Sequence, residues 1–385
     1  MTAIPQQSHL RSDYVLLGLT LLLTVIGLVV VWSASFVIGI VQFGDPNAYF
    51  VRQLMGAFLG AFMFVAMWRL DYRKLRPWAL PIMAVTIVAL VAVLIVGEER
   101  NGAQRWIGAG AVTFQPAEFA KLSITVYLAV WLTRPGRNLR SFEEGFFPFM
   151  IILGVVAGLI VWERSLGTTL VVVSIAICMF WVAGASLMHV AALIGSGLVA
   201  VVSLALLVDY RYDRLLTFLG HGETDGALFQ THQAMLALGN GGLTGLGLGT
   251  SRGKFFYIPE SHTDGVFAVL GEETGLLMAG LVLCMYLFLI LRGFHLARRC
   301  DDDFGSFIVT GVTTWIAVQT ILNIGGITST LPLTGVPLPF MSYGNNALAA
   351  VLMAMGVVAS VSRYGMEPEA AKQDEKPRPR KRRAT

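Results

Sequence analysis

The stretch from Pro259 to Glu273, Pro-Glu-Ser-His-Thr-Asp-Gly-Val-Phe-Ala-Val-Leu-Gly-Glu-Glu, sets a carboxylate, Asp264, at the head of a long apolar run. An ionisable group at a membrane boundary is costly to dehydrate, which makes it a functional-site candidate by default. A carboxylate with an ordinary pKa of about 4 is a weak proton acceptor; partial burial would strengthen it, and the positive end of a helix would oppose that shift. Asp264 also has a purely structural reading, as N-cap or first-turn acid of the helix that follows. Its neighbourhood argues for more, because Glu260 and His262 precede it and Glu272 follows eight residues later. Eight helical residues advance about 800°, leaving Glu272 about 80° around the helix and two turns below, so the two carboxylates could share a wet crevice. Glu273 points nearly opposite Asp264.

Other residue types that bind anions or sugars lie in separate stretches. Glu118 and Lys121, in Phe114-Gln-Pro-Ala-Glu-Phe-Ala-Lys121, stand three residues apart and share a helix face. They read either as a buried ion pair that satisfies itself or as a pair that opens to hold a headgroup. Arg105, beside Trp106 in Asn101-Gly-Ala-Gln-Arg-Trp-Ile107, is either an interfacial anchor or a guanidinium that grips a phosphate at two points. Gln115, Glu260, His262, and Ser342 with Tyr343 in the stretch from Thr328 to Asn346 complete the candidate binding residues.

Two suggestive patterns fail on detail. The run Gly239-Asn-Gly-Gly-Leu-Thr-Gly-Leu-Gly-Leu-Gly249 invites a nucleotide-loop reading. A Walker A loop needs a Gly separated by four residues from the Gly-Lys pair, and Ser or Thr after it. Around Gly253-Lys254 those positions are Leu248 and Phe255, so a backbone-dense re-entrant or ligand-lining segment is the better reading. Ser251-Arg-Gly-Lys254 matches the Ser-x-x-Lys of acyl-serine enzymes, but the chain has neither Lys-Thr-Gly nor Ser-Asp-Asn.

The elements that must position these groups are membrane helices. Apolar residues make up 55% of the chain and charged residues 14%, against a soluble average of roughly 25% charged. The apolar residues form about ten runs near the roughly 20-residue length of a spanning helix: 14–40, 51–68, 77–97, 115–133, 147–162, 168–183, 187–208, 264–291, 304–326 and 341–363. With the N-terminus inside, the inner segments carry about 19 of the 28 Lys and Arg and the outer segments about 8, which places both ends in the cytoplasm. All three polar stretches then fall outside, including a large extracytoplasmic loop, 209–263, between the seventh and eighth spans. The first run reads as a signal-anchor helix rather than a cleaved signal. Cys178 and Cys284 lie within spans and Cys300 in an inner loop, so none is placed for an external disulfide, and no zinc spacing is present. The expected organisation is a membrane domain over 1–364 and a basic, disordered cytoplasmic tail over 365–385. The tail's Lys and Arg suit anionic lipid headgroups better than nucleic acid.

Taken in order, these motifs resemble the SEDS family (shape, elongation, division and sporulation), which includes FtsW, RodA and SpoVE. The resemblance runs through Asp13, Val31-Trp-Ser-Ala-Ser35, Asn101-Gly-Ala-Gln-Arg-Trp106, Phe114 to Lys121, Leu166-Gly-Thr-Thr169, the glycine run, Pro259 to Asp264, Gly271-Glu-Glu-Thr-Gly275 and Leu331-Pro-Leu-Thr-Gly-Val-Pro-Leu-Pro-Phe-Met-Ser-Tyr-Gly344. It implies a ten-helix fold and a multi-pass protein of the bacterial cytoplasmic membrane, with peptidoglycan glycosyltransferase activity. Such enzymes polymerise lipid II, a disaccharide-pentapeptide on undecaprenyl diphosphate, beside a class B penicillin-binding protein and other divisome or elongasome membrane proteins. The family's essential aspartate falls on Asp264, and its outer-cavity Arg and Lys fall on Arg105 and Lys121.

The implied chemistry is inverting transfer. Asp264 takes the proton from the acceptor's 4-hydroxyl, undecaprenyl diphosphate leaves, and Arg105 and Lys121 neutralise it. A divalent cation such as Mg or Mn could share that task, although no ligand cluster is visible. Two departures stand out: Arg164-Ser165 replaces the usual Pro-Asp, and Asn345-Asn346 follows Ser-Tyr-Gly, which points to an altered loop with activity retained. Pro-Glu-x-His-Thr-Asp and the basic tail lean toward an FtsW-like division role over RodA-like elongation. A lipid II flippase and a non-catalytic scaffold for the penicillin-binding protein are the alternatives. A transporter site should lie near the midplane on discontinuous helices, whereas the polar groups here gather at the outer face.

Overall fold

The computed structural model describes residues 12–100, 103–108, 113–206, 212, 227–254 and 260–365. Asn101 and Gly102, much of the 209–263 loop and the basic tail beyond Gly365 lie outside the described residues. In hydrocarbon every backbone N–H and C=O needs an internal partner, so the apolar runs fold as helices. They are α1 (Tyr14–Phe43), α2 (Ala48–Arg69), α3 (Leu75–Val96), α4 (Pro116–Leu132), α5 (Phe147–Trp162), α6 (Leu166–Val182) and α7 (Leu187–Leu206), then α8 (Ala227–Asn240), α9 (Val266–Arg299), α10 (Asp303–Ile327) and α11 (Asn345–Tyr364). Each predicted span has a helix in its place, and α8 is an additional short helix within the long loop. Seven helical stretches are long and apolar enough to cross a bilayer, with α4, α6 and α7 the shorter or more polar members. The chain is an all-α polytopic membrane protein. A two-stranded hairpin, β1 (Glu98–Arg100) and β2 (Ala103–Trp106), joins α3 to α4.

Small residues set the centre of the bundle. The apolar windows of α10 and α11 are 67% and 78% buried, against 17% for α2. Gly56 and Gly60 of α2 lie against Asn345, Ala349 and Leu352 of α11, and Gly356 of α11 lies against Phe64 and Met67. Glycine permits this backbone approach, the usual means of close helix packing in a membrane. Gly311 of α10 similarly accepts Thr125 of α4 and Met179 of α6. At the inner ends, Asp13 caps α1 through Leu16 N (3.1 Å) and pairs with Arg292 Nε of α9 (2.7 Å). Asp302 caps α10 and accepts the Tyr72 hydroxyl (3.2 Å).

Candidate active site

Asp264 sits half-buried in a tight turn, 260–265, that leads into α9. Glu260 has a left-handed φ of 52°, and its carbonyl accepts N–H bonds from Thr263 and Gly265, both at 3.1 Å. Glu260 itself is exposed, with its carboxylate taking the Thr263 hydroxyl (3.0 Å). The N-cap of α9 is Gly265 and no acid lies in its first turn, so Asp264 stands one residue outside the capping position. The turn is held from below by Asn323 of α10, whose Nδ2 donates to the Asp264 carbonyl (3.1 Å) and to the Val336 carbonyl (2.9 Å). From the side it is held by His262, a buried ring lying 4.8 Å from Tyr49 and 5.4 Å from Tyr343 between centroids. The His262 carbonyl accepts Tyr343 N (2.9 Å). Burial pushes the imidazole pKa below its usual value, against the pull of Glu260, so the ring is neutral at pH 7.

Glu118 and Lys121 are both buried and form an ion pair of 2.8 Å. The pair is not closed on itself. Lys121 Nζ also donates to Gln319 Oε1 (3.3 Å) and lies 4.5 Å from the Trp315 ring centre. Gln319 Nε2 in turn donates to the Pro337 carbonyl (2.7 Å). Gln319 and Asn323 are four residues apart on one face of α10. Through Val336 and Pro337 they join the Lys121 network to the Asp264 turn. Ser342 is buried and accepts Leu338 N (2.7 Å), shaping the 338–342 turn. Gln53 of α2 binds the Ser342 carbonyl (3.2 Å) and Gly344 N (3.0 Å). Gln115 is the half-buried N-cap residue of α4, with no side-chain capping bond. Gln319, Asn323, Gln53 and Tyr49 were not picked out by sequence reasoning; the only signal is an amide at i, i+4 in an otherwise apolar span.

Arg105 stands in a second location. A bridge between Ile107 and Phe114 closes the chain back toward α4, and β2 presents Arg105 to the outer turn between α5 and α6. There its Nε and Nη2 donate to the carbonyls of Glu163 (3.3 Å) and Arg164 (2.6 Å). Neither oxygen of the Glu163 carboxyl has a hydrogen-bond partner among the described residues. Burial raises its pKa from 4.5 to about 8, with Arg105 pulling the other way. Ser165, where relatives carry Asp, is the N-cap residue of α6, a position that takes Ser and Asp almost equally. Its hydroxyl bonds Thr168 Oγ1 (2.9 Å). Asn345 and Asn346 open α11, and Asn346 Nδ2 ties it to the Thr113 carbonyl (2.8 Å), so this departure leaves a helix start rather than a left-handed loop.

The shared crevice expected for Asp264 and Glu272 is absent, because Glu272 is 1% exposed and engaged elsewhere. Its Oε2 accepts Ser251 Oγ (2.5 Å) and Gly253 N (3.1 Å). Glu273, also buried, accepts Ser33 Oγ of α1 (2.6 Å) and Lys254 Nζ (3.2 Å). Just below them α9 is broken at Gly275, with φ 74° and ψ 178°. The glycine-rich run packs into that break. Gln319 and Asn323 apart, these are the buried polar groups nearest the outer site, and they lie about 10–15 Å below the head of α9. Discontinuous structure at depth is therefore present, contrary to the expectation that polar groups gather only at the outer face. Among the described residues no group of three or more His, Cys, Asp or Glu is placed to hold a metal.

Known proteins share this whole arrangement. Stage V sporulation protein E of Bacillus subtilis is 41% identical over 355 residues, covering 91% of this chain and 97% of that protein. A protein of Geobacter metallireducens named "Probable peptidoglycan glycosyltransferase FtsW" is 36% identical, covering 91% of this chain and 95% of that one. A solved chain from work on "Structural coordination of polymerization and crosslinking by a peptidoglycan synthase complex" superposes with a TM-score of 0.74 at 27% identity, over 92% of this chain and 99% of that one. Residues 13–367 match the FtsW/RodA/SpoVE family, described as a cell cycle protein. The chain belongs to the FtsW/RodA/SpoVE family.

Proposed function

We propose that this protein is a peptidoglycan glycosyltransferase that polymerises lipid II at the outer face of the bacterial cytoplasmic membrane, in an FtsW-like division role. The observation that carries the reading is the placement of Asp264. It stands on a braced, half-buried turn outside the capping position of α9, in a chain matched to the family over 13–367. Asp264 accepts the proton of the acceptor's 4-hydroxyl as that oxygen attacks the donor's anomeric carbon, and undecaprenyl diphosphate leaves. Arg105, half-buried at an outer turn, is the cation placed to meet the diphosphate. Lys121 lies beneath the 336–342 segment at 2% exposure. It contributes its field through that cover, or directly once the segment lifts. Glu260, His262, Ser342 and Tyr343 shape the wall on the other side. A class B penicillin-binding protein is the expected partner, supported by the structural likeness to a chain from a peptidoglycan synthase complex.

The test is polymerisation of purified lipid II by the reconstituted protein with its transpeptidase partner, comparing wild type with Asp264→Asn. Glycan strands from wild type alone support the reading, and a folded Asp264→Asn protein working at the normal rate overturns it. One observation favours a second reading, a lipid II flippase: α9 is discontinuous and keeps Glu272, Glu273 and Lys254 buried at depth. Headgroup translocation in vesicles, without glycan, would select it.

A further inference from the structure

The break in α9 creates a mechanical problem. The upper half, Val266–Thr274, is cut from the lower half at Gly275, so the lower helix does not fix its direction. A broken helix leaves carbonyls above the break and N–H groups below it without partners. Here the glycine-rich run supplies them. Leu246 N and Gly247 N donate to the carbonyls of Glu272 (3.0 Å) and Glu273 (2.9 Å). Leu276 N and Leu277 N donate to the carbonyls of Gly242 (2.9 Å) and Leu243 (3.2 Å). Only glycine allows the approach, since a Cβ at Gly241 or Gly245 would meet the backbone at Gly271 or Glu273.

Side chains then lock this splice. Ser251 and Gly253 hold Glu272, while Lys254 and Ser33 hold Glu273. Lys254 Nζ also donates to the Gly249 carbonyl (2.5 Å). The Lys254–Glu273 pair spans 19 residues and closes the base of a loop that carries Asp264 near its middle. Charges buried inside a membrane protein are expensive, and apolar side chains of similar volume would pack the same space at lower cost. What the charges add is direction, because their hydrogen bonds admit few relative orientations of the half-helix, the glycine run and α1.

We infer that Lys254 and Glu273, supported by Ser33, Ser251 and Glu272, are positioning residues that aim Asp264 by fixing the upper half of α9. The inference rests on the reading of Asp264 as proton acceptor. The upper half is about 13 Å long, so a tilt of about 10° at the latch moves its head by about 2 Å. A displacement of that size from a mutation remote from the chemistry costs on the order of 100-fold in rate.

The experiment measures lipid II polymerisation by the reconstituted full-length protein with its transpeptidase partner. It compares wild type, Lys254→Met, Glu273→Gln, the double variant, Lys254→Arg and Asp264→Asn. The expected result is a fall in kcat of about 30- to 100-fold for either single variant and for the double, with KM within about threefold, and substantial recovery in Lys254→Arg. If a single variant fails to fold because it strands a buried charge, the double, which strands none, decides. A folded double variant with kcat within about twofold of wild type overturns the inference, as does a loss carried wholly by KM. Normal polymerisation by Asp264→Asn would instead sink the underlying reading, so the two failures are distinguishable.

Discussion

Two buried lysine–glutamate pairs sit in this membrane domain, and they are built differently. Glu118–Lys121 is local, one turn of α4, with a contact of 2.8 Å. Lys254–Glu273 is remote in sequence, at 3.2 Å, and joins the glycine-rich segment to a broken helix. The first would form in α4 whatever surrounded it, and tertiary structure adds Gln319 and Trp315 to it. The second exists only when segment, half-helix and α1 are assembled. A local pair can tune a field, whereas a remote pair can hold two elements in register.

The largest effect should come from destroying the break that makes the remote pair necessary. Gly275 has a positive φ, and a Cβ there would meet the backbone of Leu243 and Gly245. Gly275→Val should cost about 4 kcal/mol or more, read as loss of monodisperse protein in detergent. Next, Lys121→Met should cost about 3–5 kcal/mol by stranding Glu118, while Glu118→Gln with Lys121→Met should recover most of that in thermal unfolding. If the double variant at the local pair also loses kcat as the remote double is expected to, the contrast between the pairs collapses.

Glu163 is a third buried carboxyl, with Arg105 rather than a lysine as its cationic neighbour. Its folded pKa of about 8 lies above the ordinary 4.5. The folded state therefore keeps a proton that the unfolded state releases, and stability falls as pH rises from about 4.5 to about 8, then levels off. Glu163→Gln should remove that slope and gain about 2 kcal/mol at pH 7, measured as Tm against pH. The smallest effect should be Gly280→Ala, in the lower half of α9 with nothing near its Cβ. It should raise stability by about 0.5–1 kcal/mol in thermal unfolding and leave polymerisation unchanged.

Much of this was legible in the chain and some was not, for reasons that differ by residue. Apolar runs announce helices because lipid leaves the backbone no alternative. Asp264 and the Glu118–Lys121 pair were visible because charge in an apolar run is rare and i, i+3 spacing is geometric. The break at Gly275 was hidden, since one glycine costs a helix only about 1 kcal/mol and the run 264–291 reads as continuous. Ser251 and Lys254 suggested an acyl-serine motif, and nothing local reveals that they bond Glu272 and Glu273. Gln319 and Asn323 escaped notice because uncharged amides barely disturb hydropathy, and their partners at Val336 and Pro337 are set by tertiary structure.

The seam between α2 and α11 has a consequence of its own. Gly56, Gly60 and Gly356 bring the two backbones into direct contact, with no intervening side chains to change rotamer. Such a joint has no slack, so Tyr49 at the outer end of α2 and Tyr343 just before α11 form a fixed jaw, and the Gln53 bonds clamp it shut. A substrate as bulky as a lipid-linked disaccharide then makes room by displacing the opposing jaw, the spliced half of α9 and the 336–342 segment. Adaptation to different glycan chains should accordingly accumulate on that side of the site.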